Sequence, residues 1–236
     1  MGVTFDSTVD TFRLNSPSFM AIADIRRDYN LAGLRRRDLN PDPIVQFRNW
    51  FDRALSARTS SAERIDVNAA TLATADKDGR PSARVVLLKG VDERGFIFFT
   101  NYDSRKGREI AENANVALVF YWPDQERQVC IAGQAGKIPQ AESEAYFKSR
   151  PRGSRLAAWA SQQSLVIPNR DALETEWQTL QAKYPGEDVP MPSNWGGFVI
   201  APIRIEFWQG RPSRLHDRFR YAKQPDGSWL IERLSP

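Results

Sequence analysis

The stretch from residue 68 to 138 constrains this chain most: short apolar segments rich in strand-forming residues keep returning there, separated by turns of Asp and Gly. Segments 68–75 and 82–89 flank Asp76-Lys77-Asp78-Gly79, and Asp92-Glu93-Arg94-Gly95 leads into 96–101. Runs at 116–122 and 128–138 follow, with a short helix expected from Ser104 to about Asn113 before them. Closely spaced strands joined by such turns pair with one another in antiparallel order and predict a barrel or sandwich.

The flanks carry helical signals. Asp42 is placed to cap a helix whose first turn accepts Pro43, and Ile44, Phe47, Phe51 and Leu55 are expected on its buried face. Residues 56–64 read as a polar linker. Helical periodicity returns at 141–149, again from Ser154, and at 171–184, where Leu173, Trp177 and Leu180 share one side. After the Pro-rich loop 185–192, strands are expected at 196–200, 203–209, 215–221 and 229–234, with Asp226-Gly227 turning the last hairpin. Residues 1–19 show no sustained periodicity and read as a loose extension. Residues 20–236 then form a single α+β domain, an antiparallel barrel with peripheral helices.

Composition removes several function classes. With 236 residues, 41% of them hydrophobic, the chain can bury a real core, yet no apolar run approaches the roughly 18 residues of a membrane helix. Acids at Asp6 and Asp10 argue against a signal peptide, so a cytoplasmic protein without a membrane partner is expected. Cys130 is the single cysteine and sits in the apolar run Gln128-Val129-Cys130-Ile131-Ala132, where it reads as a small buried hydrophobe. His216 is the single histidine, so a zinc site of clustered His and Cys is not expected. The net charge of +4 comes from small basic groups at turns and helix starts, apart from the arginine-rich stretch 26–37. That distribution favours phosphate pockets over the continuous stripe of a nucleic-acid binder.

Three constellations can receive an anion. Ser104-Arg105-Lys106 opens a helix, and its free first-turn amides and two cations suit a phosphate; the same residues equally suit a capped surface helix with solvated charges. Tyr146 and Arg150 are four apart and share a helix face, with Ser154 expected to cap the next helix; phenol, guanidinium and hydroxyl together make a clamp. An arginine balancing a helix dipole is the plainer account of Arg150. In a strand, Arg214, His216 and Arg218 fall on one face, and three donors in a row are costly to bury without an anion. Trp208 ends the preceding strand and offers an aromatic wall. Arg84 and Lys89, five apart, face opposite sides of a regular strand, so a shared site needs a bulge or a long ligand.

These residues also carry a resemblance. Glu206-Phe207-Trp208-Gln209 followed by Arg214-Leu215-His216-Asp217-Arg218 resembles the signature of the pyridoxine 5′-phosphate oxidases. So do, in the same order along the chain, residues 84–89, Phe99-Thr100-Asn101 with Ser104-Arg105-Lys106, Glu126-Arg127-Gln128, residues 146–154 with Ser149-Arg150-Pro151-Arg152, and Trp195-Gly196-Gly197-Phe198. The resemblance implies an FMN-binding split barrel of Greek-key type, an obligate homodimer and FMN at the subunit interface. It assigns FMN contacts to Arg84, Lys89, Phe99, Thr100, Arg105, Lys106, Gln128, Gln163, Ser164, Trp208 and Arg218. It gives the substrate phosphate to Lys89, Tyr146, Arg150 and Ser154, and puts Arg214 and His216 over the pyridine ring as the catalytic pair. Arg26-Arg27-Asp28-Tyr29 resembles a segment that closes over the site, which adds Arg26 and Tyr29 to the substrate contacts. The implied reaction oxidises a phosphorylated B6 vitamer to pyridoxal 5′-phosphate while O2 becomes H2O2. Two other readings compete. One is a related split-barrel oxidase acting on a phenazine precursor; the other is a non-catalytic flavin or nucleic-acid binder.

Overall fold

The computed structural model describes residue 22 and residues 28–57 and 66–236. The extension read at 1–19, Arg26 and the linker from residue 58 onward lie outside the described residues.

Helix α1 (Pro43–Ser56) begins where Asp42 accepts hydrogen bonds from the amides of Ile44 and Val45 at 2.7 and 3.4 Å, with Pro43 in the first turn. Its buried seam differs from the expected one. Ile44 and Phe47 are buried as expected, but Pro43, Trp50 and Ala54 join Phe47 on the inward face, Phe51 is only partly buried, and Leu55 is 49% exposed. Spacings of four, three and four hold that seam on one face, and Leu55, one residue beyond it, is turned away by about 100°.

Among the described residues nine strands follow: β1 (Ala69–Ala75), β2 (Pro81–Leu87), β3 (Gly90–Asp92), β4 (Gly95–Asn101), β5 (Asn115–Trp122), β6 (Arg127–Lys137), β7 (Trp195–Gln209), β8 (Asp217–Lys223) and β9 (Trp229–Leu234). They form one antiparallel sheet in the order β2-β1-β5-β6-β7-β4-β3, with β8 on β7 and β9 on β8. The sheet curls because β7 serves two neighbours on one edge: Trp195 to Ile200 pair with β4, and Arg204 to Gln209 pair with β8. Alternate residues turn inward, including Leu72, Leu118, Phe120, Val129, Ile131, Ile205, Phe207, Phe219 and Tyr221. Phe47 of α1 plugs the interior, with its ring 4.9 Å from Phe96 and 5.0 Å from Phe120. The result is the expected α+β split barrel.

Three expectations about strands need correction. Strands 196–200 and 203–209 are one strand, because a register shift between Ala132 and Gly133 lets Pro202 sit opposite Gly133 without breaking it. Strand 82–89 stops at Leu87: the Leu88 amide bonds to Asn68 and the Lys89 amide to Ile97, so the chain changes partner there and starts β3. The Gly95 turn that follows passes so close to β7 that a Cβ would lie 2.0 Å from the Ile200 carbonyl, and φ is +135°. Finally, strand 215–221 starts only at Asp217, after a 3-10 turn at Pro212–Arg214.

Helix α2 (Arg105–Glu112) joins β4 to β5. Helices α3 (Gln140–Ser149), α4 (Arg152–Ala160) and α5 (Arg170–Lys183) lie between β6 and β7. The expected α5 face holds: Leu180 is buried and Trp177 partly so, packed with Leu156 of α4 and Val189. Ser154 does not cap α4. The helix begins at Arg152 behind Pro151, which leaves Ser154 in its first turn.

Candidate active site

One cleft of about 450 Å³ gathers Lys89, Phe99, Thr100, Lys106, Tyr146, Arg150 and Gln163, with Trp195 and the β2 residues Val85 to Leu87 completing its wall. Long-range pairing makes it. The switch at Leu88 frees Lys89 from the β2 alternation and brings it into the cleft, whereas Arg84, five residues earlier, does not line it. Ser104 caps α2, accepting from the Gly107 amide at 3.3 Å while donating to the Asn101 carbonyl at 2.6 Å. The first turn of α2 then folds Lys106 back beneath β4.

The Lys106 ammonium, on a residue only 8% exposed, donates to Thr100 Oγ1 at 3.1 Å, Ser104 Oγ at 3.3 Å and Gln163 Oε1 at 2.7 Å. All three are neutral oxygens. Burial, reinforced by the Arg84 charge, brings its pKa down to about 8. Arg150 follows the last residue of α3 in extended conformation, not on the helix face with Tyr146 as its spacing suggested, yet both line the cleft. Its guanidinium lies 4.7 Å over the Trp195 ring; among the described residues its buried Nη1 has no hydrogen-bond partner, and burial lowers its pKa. Beside it Tyr146 stacks on Phe99 at 3.9 Å, and Phe99 on Trp195 at 5.5 Å.

An ammonium among neutral oxygens and a guanidinium with an orphaned donor are costly unless anions meet them. The donor set thus fits two phosphate esters, one near Lys106 and one near Arg150. Ser154 and Ser164 do not line the cleft; Ser164 follows Gln163 with φ +75°, a left-handed turn residue. Arg84 and Arg105 stand at its flank, both bonded to Glu109.

A second group forms elsewhere in the same protomer. Trp208, near the end of β7, lies opposite Gln128 of β6 and Arg218 of β8, so three of the expected cofactor contacts share one row of the sheet. Arg218 is ion-paired with Glu206 at 2.7 Å. His216 packs on Trp208 at 4.7 Å and on Tyr29 at 5.6 Å. The same-face reading of Arg214, His216 and Arg218 fails, since the first two precede β8; Ser213 and Arg214 adopt φ of +56° and +62° instead. Two consecutive non-glycine residues in the left-handed region store strain, a feature that clusters at working sites. His216 Nδ1 accepts a hydrogen bond from the Arg211 amide at 3.1 Å, which leaves the ring proton on Nε2. Burial and the neighbouring Arg214 lower its pKa, so the ring is neutral near pH 7.

The segment around Tyr29 is strapped over this group. The Leu31 amide donates to Glu126 and the Leu34 amide to Asp217, each at 3.0 Å, and Tyr29 lies where a Cβ on Gly210 would meet it at 2.7 Å. Gln128, Trp208, Arg214, His216 and Arg218 do not line the cleft of Lys106 and Arg150. Sequence reasoning missed Glu109, Thr74 and Ser82. The spacing of Arg105 and Glu109 hinted at an ion pair, but the two hydroxyls join it only through strand register.

Cys130 is half-buried, not the buried hydrophobe expected, because β6 turns Val129 and Ile131 inward and Cys130 to the other face; burial with the nearby Glu206 pushes its thiol up to about 11. Among the described residues no helix is long and apolar enough to cross a membrane.

Residues 61–184 match the pyridoxamine 5′-phosphate oxidase family, and residues 195–236 match the pyridoxine 5′-phosphate oxidase C-terminal dimerisation region. The chain is 53% identical over 215 residues to the pyridoxine/pyridoxamine 5′-phosphate oxidase of Cupriavidus necator, covering 91% of this chain and 99% of that one. Among solved structures it is similar to PhzG from Burkholderia lata 383 in complex with tetrahydrophenazine-1-carboxylic acid, with a TM-score of 0.81, 31% identity, and coverage of 89% of this chain and 100% of the other. A pyridoxamine 5′-phosphate oxidase-related, FMN binding protein from Nostoc punctiforme shares the fold at a TM-score of 0.64 and 20% identity, covering 80% of this chain and 97% of the other.

Proposed function

The chain belongs to the pyridoxine/pyridoxamine 5′-phosphate oxidase family, and from that premise we propose that it oxidises pyridoxine or pyridoxamine 5′-phosphate to pyridoxal 5′-phosphate, using FMN and O2. The observation that carries this reading is the pairing in one cleft of Lys106 among neutral oxygens with Arg150 and its orphaned Nη1. FMN, when bound, would supply the redox chemistry that side chains lack, as acceptor of a hydride from the C4′ carbon and donor of electrons to oxygen. Thr100, Lys106 and Gln163, flanked by Arg84 and Arg105, would hold its phosphate; Lys89, Tyr146 and Arg150 would hold that of the vitamer, joined by Ser154 from the first turn of α4. Their contribution is orientation of the reacting carbon.

His216 acts as a neutral donor through Nε2, because Nδ1 is engaged by the Arg211 amide. It orients the substrate and, in that tautomer, does not remove a proton. Arg214 adds a positive charge where the departing hydroxyl or amine needs support. These two, with Gln128, Trp208 and Arg218, come to the cleft from a second copy. Support comes from the match of residues 195–236 to a dimerisation region and from their separation from the cleft within one protomer.

The test is direct. Purified protein supplied with FMN should turn over either phosphorylated vitamer aerobically and lose its yellow colour under substrate without oxygen. Dephosphorylated pyridoxine should be at least about a hundredfold worse in kcat/KM, since it leaves buried cations unmatched. Oxidation of a dihydrophenazine carboxylate with no activity on the phosphorylated vitamers would instead favour the second reading.

Lys106 makes a further prediction. Phosphate binding needs its ammonium, and the free protein loses that proton near pH 8. FMN affinity should therefore fall as pH rises through about 8, by up to about tenfold per pH unit, in a fluorescence titration. Lys106→Met should bind FMN more weakly and lose that slope.

A further inference from the structure

We propose that Glu109 is a positioning residue: its buried carboxylate aims the guanidinium groups of Arg84 and Arg105 beside Lys106, and thereby sets the preference for a phosphorylated flavin over its dephosphorylated form. This rests on the cofactor reading above and adds a residue that touches no ligand.

Glu109 is 5% exposed on the inner side of α2. Its Oε2 accepts from Thr74 Oγ1 and Ser82 Oγ, both at 2.5 Å, and lies 3.3 Å from Arg84 Nη2. Its Oε1 accepts from Arg105 Nε at 2.8 Å, one turn back on the same helix. Thr74 and Ser82 are direct partners in the β1–β2 register, and each also receives one nitrogen of the Arg84 guanidinium. The Arg84 fork is thus held by the two hydroxyls and the carboxylate. Burial works to raise the Glu109 pKa, but hydrogen bonds from Ser82, Thr74, Arg105 and Arg84 outweigh it and hold it near 2.

The charge balance explains why an acid belongs near a phosphate site. Arg84 and Arg105 share the Glu109 carboxylate, Lys106 follows Arg105 in the chain, and the Arg84 charge already lowers the Lys106 pKa. Without Glu109 the three repel and the two long arginines sample many rotamers. With it, three cations stand against one carboxylate, and the remaining double positive charge matches a phosphate dianion. Repulsion between Glu109 and the phosphate is the opposing effect. It is the smaller, because the carboxylate is already matched by two guanidinium groups at 2.8 and 3.3 Å.

The test compares two flavins on the full-length protein stripped of cofactor. Glu109→Gln preserves shape and removes the charge. In fluorescence titrations its FMN Kd should rise about tenfold, the cost of ordering two freed arginines on binding, while its riboflavin Kd stays unchanged. If that variant does not accumulate as folded protein, Ser82→Ala carries the same test. It removes one hydroxyl from the clamp and should raise the FMN Kd about threefold, again without effect on riboflavin. Equal weakening toward both flavins marks a purely structural role and overturns the proposal. So does wild-type or tighter FMN binding by the variant. A wild-type protein that binds both flavins equally sinks the cofactor reading and this inference together, whereas an FMN preference kept intact in the variant sinks this inference alone.

Discussion

Arg150→Met and Arg214→Leu, each expected to leave almost no turnover of pyridoxine 5′-phosphate at modest substrate concentration, should together recover about a quarter of wild-type activity when their subunits are mixed. The expectation follows from where the two residues lie. Arg150 lines the cleft with Lys106, while Arg214 sits in the turn before β8 and reaches no part of it. If each site takes its cleft from one protomer and its Arg214–His216 pair from the other, a mixed dimer contains one site with both defects and one with neither. Random reassortment makes about half the dimers mixed, so about one site in four is intact. Each variant alone fails for a separate reason. Loss of the Arg150 guanidinium removes a charge-assisted contact made with a buried donor, and KM should rise by about a hundredfold. Loss of Arg214 should fall mainly on kcat, because its proposed work is done as charge develops. Steady-state assays after dissociation and reassembly measure all three. Mixtures no more active than the average of their components would mean that each protomer completes its own site.

Phe47→Ala should cost about 3–5 kcal/mol of stability, a large part of the roughly 5–15 kcal/mol that holds a typical protein folded. Phe47 is 1% exposed and its ring lies within 6.1 Å of Phe51, Phe96, Phe120 and Trp122. Its removal opens a cavity between α1 and the barrel that neighbouring rings, fixed on strands, cannot collapse to fill. A fall in Tm of roughly 10 °C is expected at fixed protein concentration. Leu55→Ala on the same helix should change stability by under about 0.5 kcal/mol, since that side chain is half exposed. Thermal unfolding of the pair separates the buried seam from the Leu55 position that spacing alone added to it. Equal shifts would show that α1 packs through its Leu55 side.

Most elements were legible from the chain. The Asp-Gly turns around Asp76 and Asp92 did mark reversals, and Asp42 and Ser104 do cap their helices. The errors fall where a local rule meets a distant neighbour. Pro202 looked like a strand break, but a bulge opposite Gly133 absorbs it. Leu88 and Lys89 looked like the end of one strand, but pairing with Asn68 on one side and Ile97 on the other makes them a crossover. Alternation put Arg214 and His216 on a strand, yet two positive-φ residues hold that stretch as a turn. Of the candidate site, the Lys106 and Arg150 clusters were visible as separate anion sites. Their meeting in one cleft was not, because nothing local relates α2 to the end of α3.

The sequence by itself determined the antiparallel barrel, its helix starts, its cationic clusters and its resemblance to the B6-vitamer oxidases. Those depend on residues near one another in the chain, where turn chemistry and side-chain periodicity act directly. Only the tertiary structure decided which clusters share a cavity, that Arg150 carries an unmatched donor, and that Glu109 gathers Thr74, Ser82, Arg84 and Arg105. Such contacts join residues far apart in sequence, and their geometry is set by strand register and by where burial strips water from a charge.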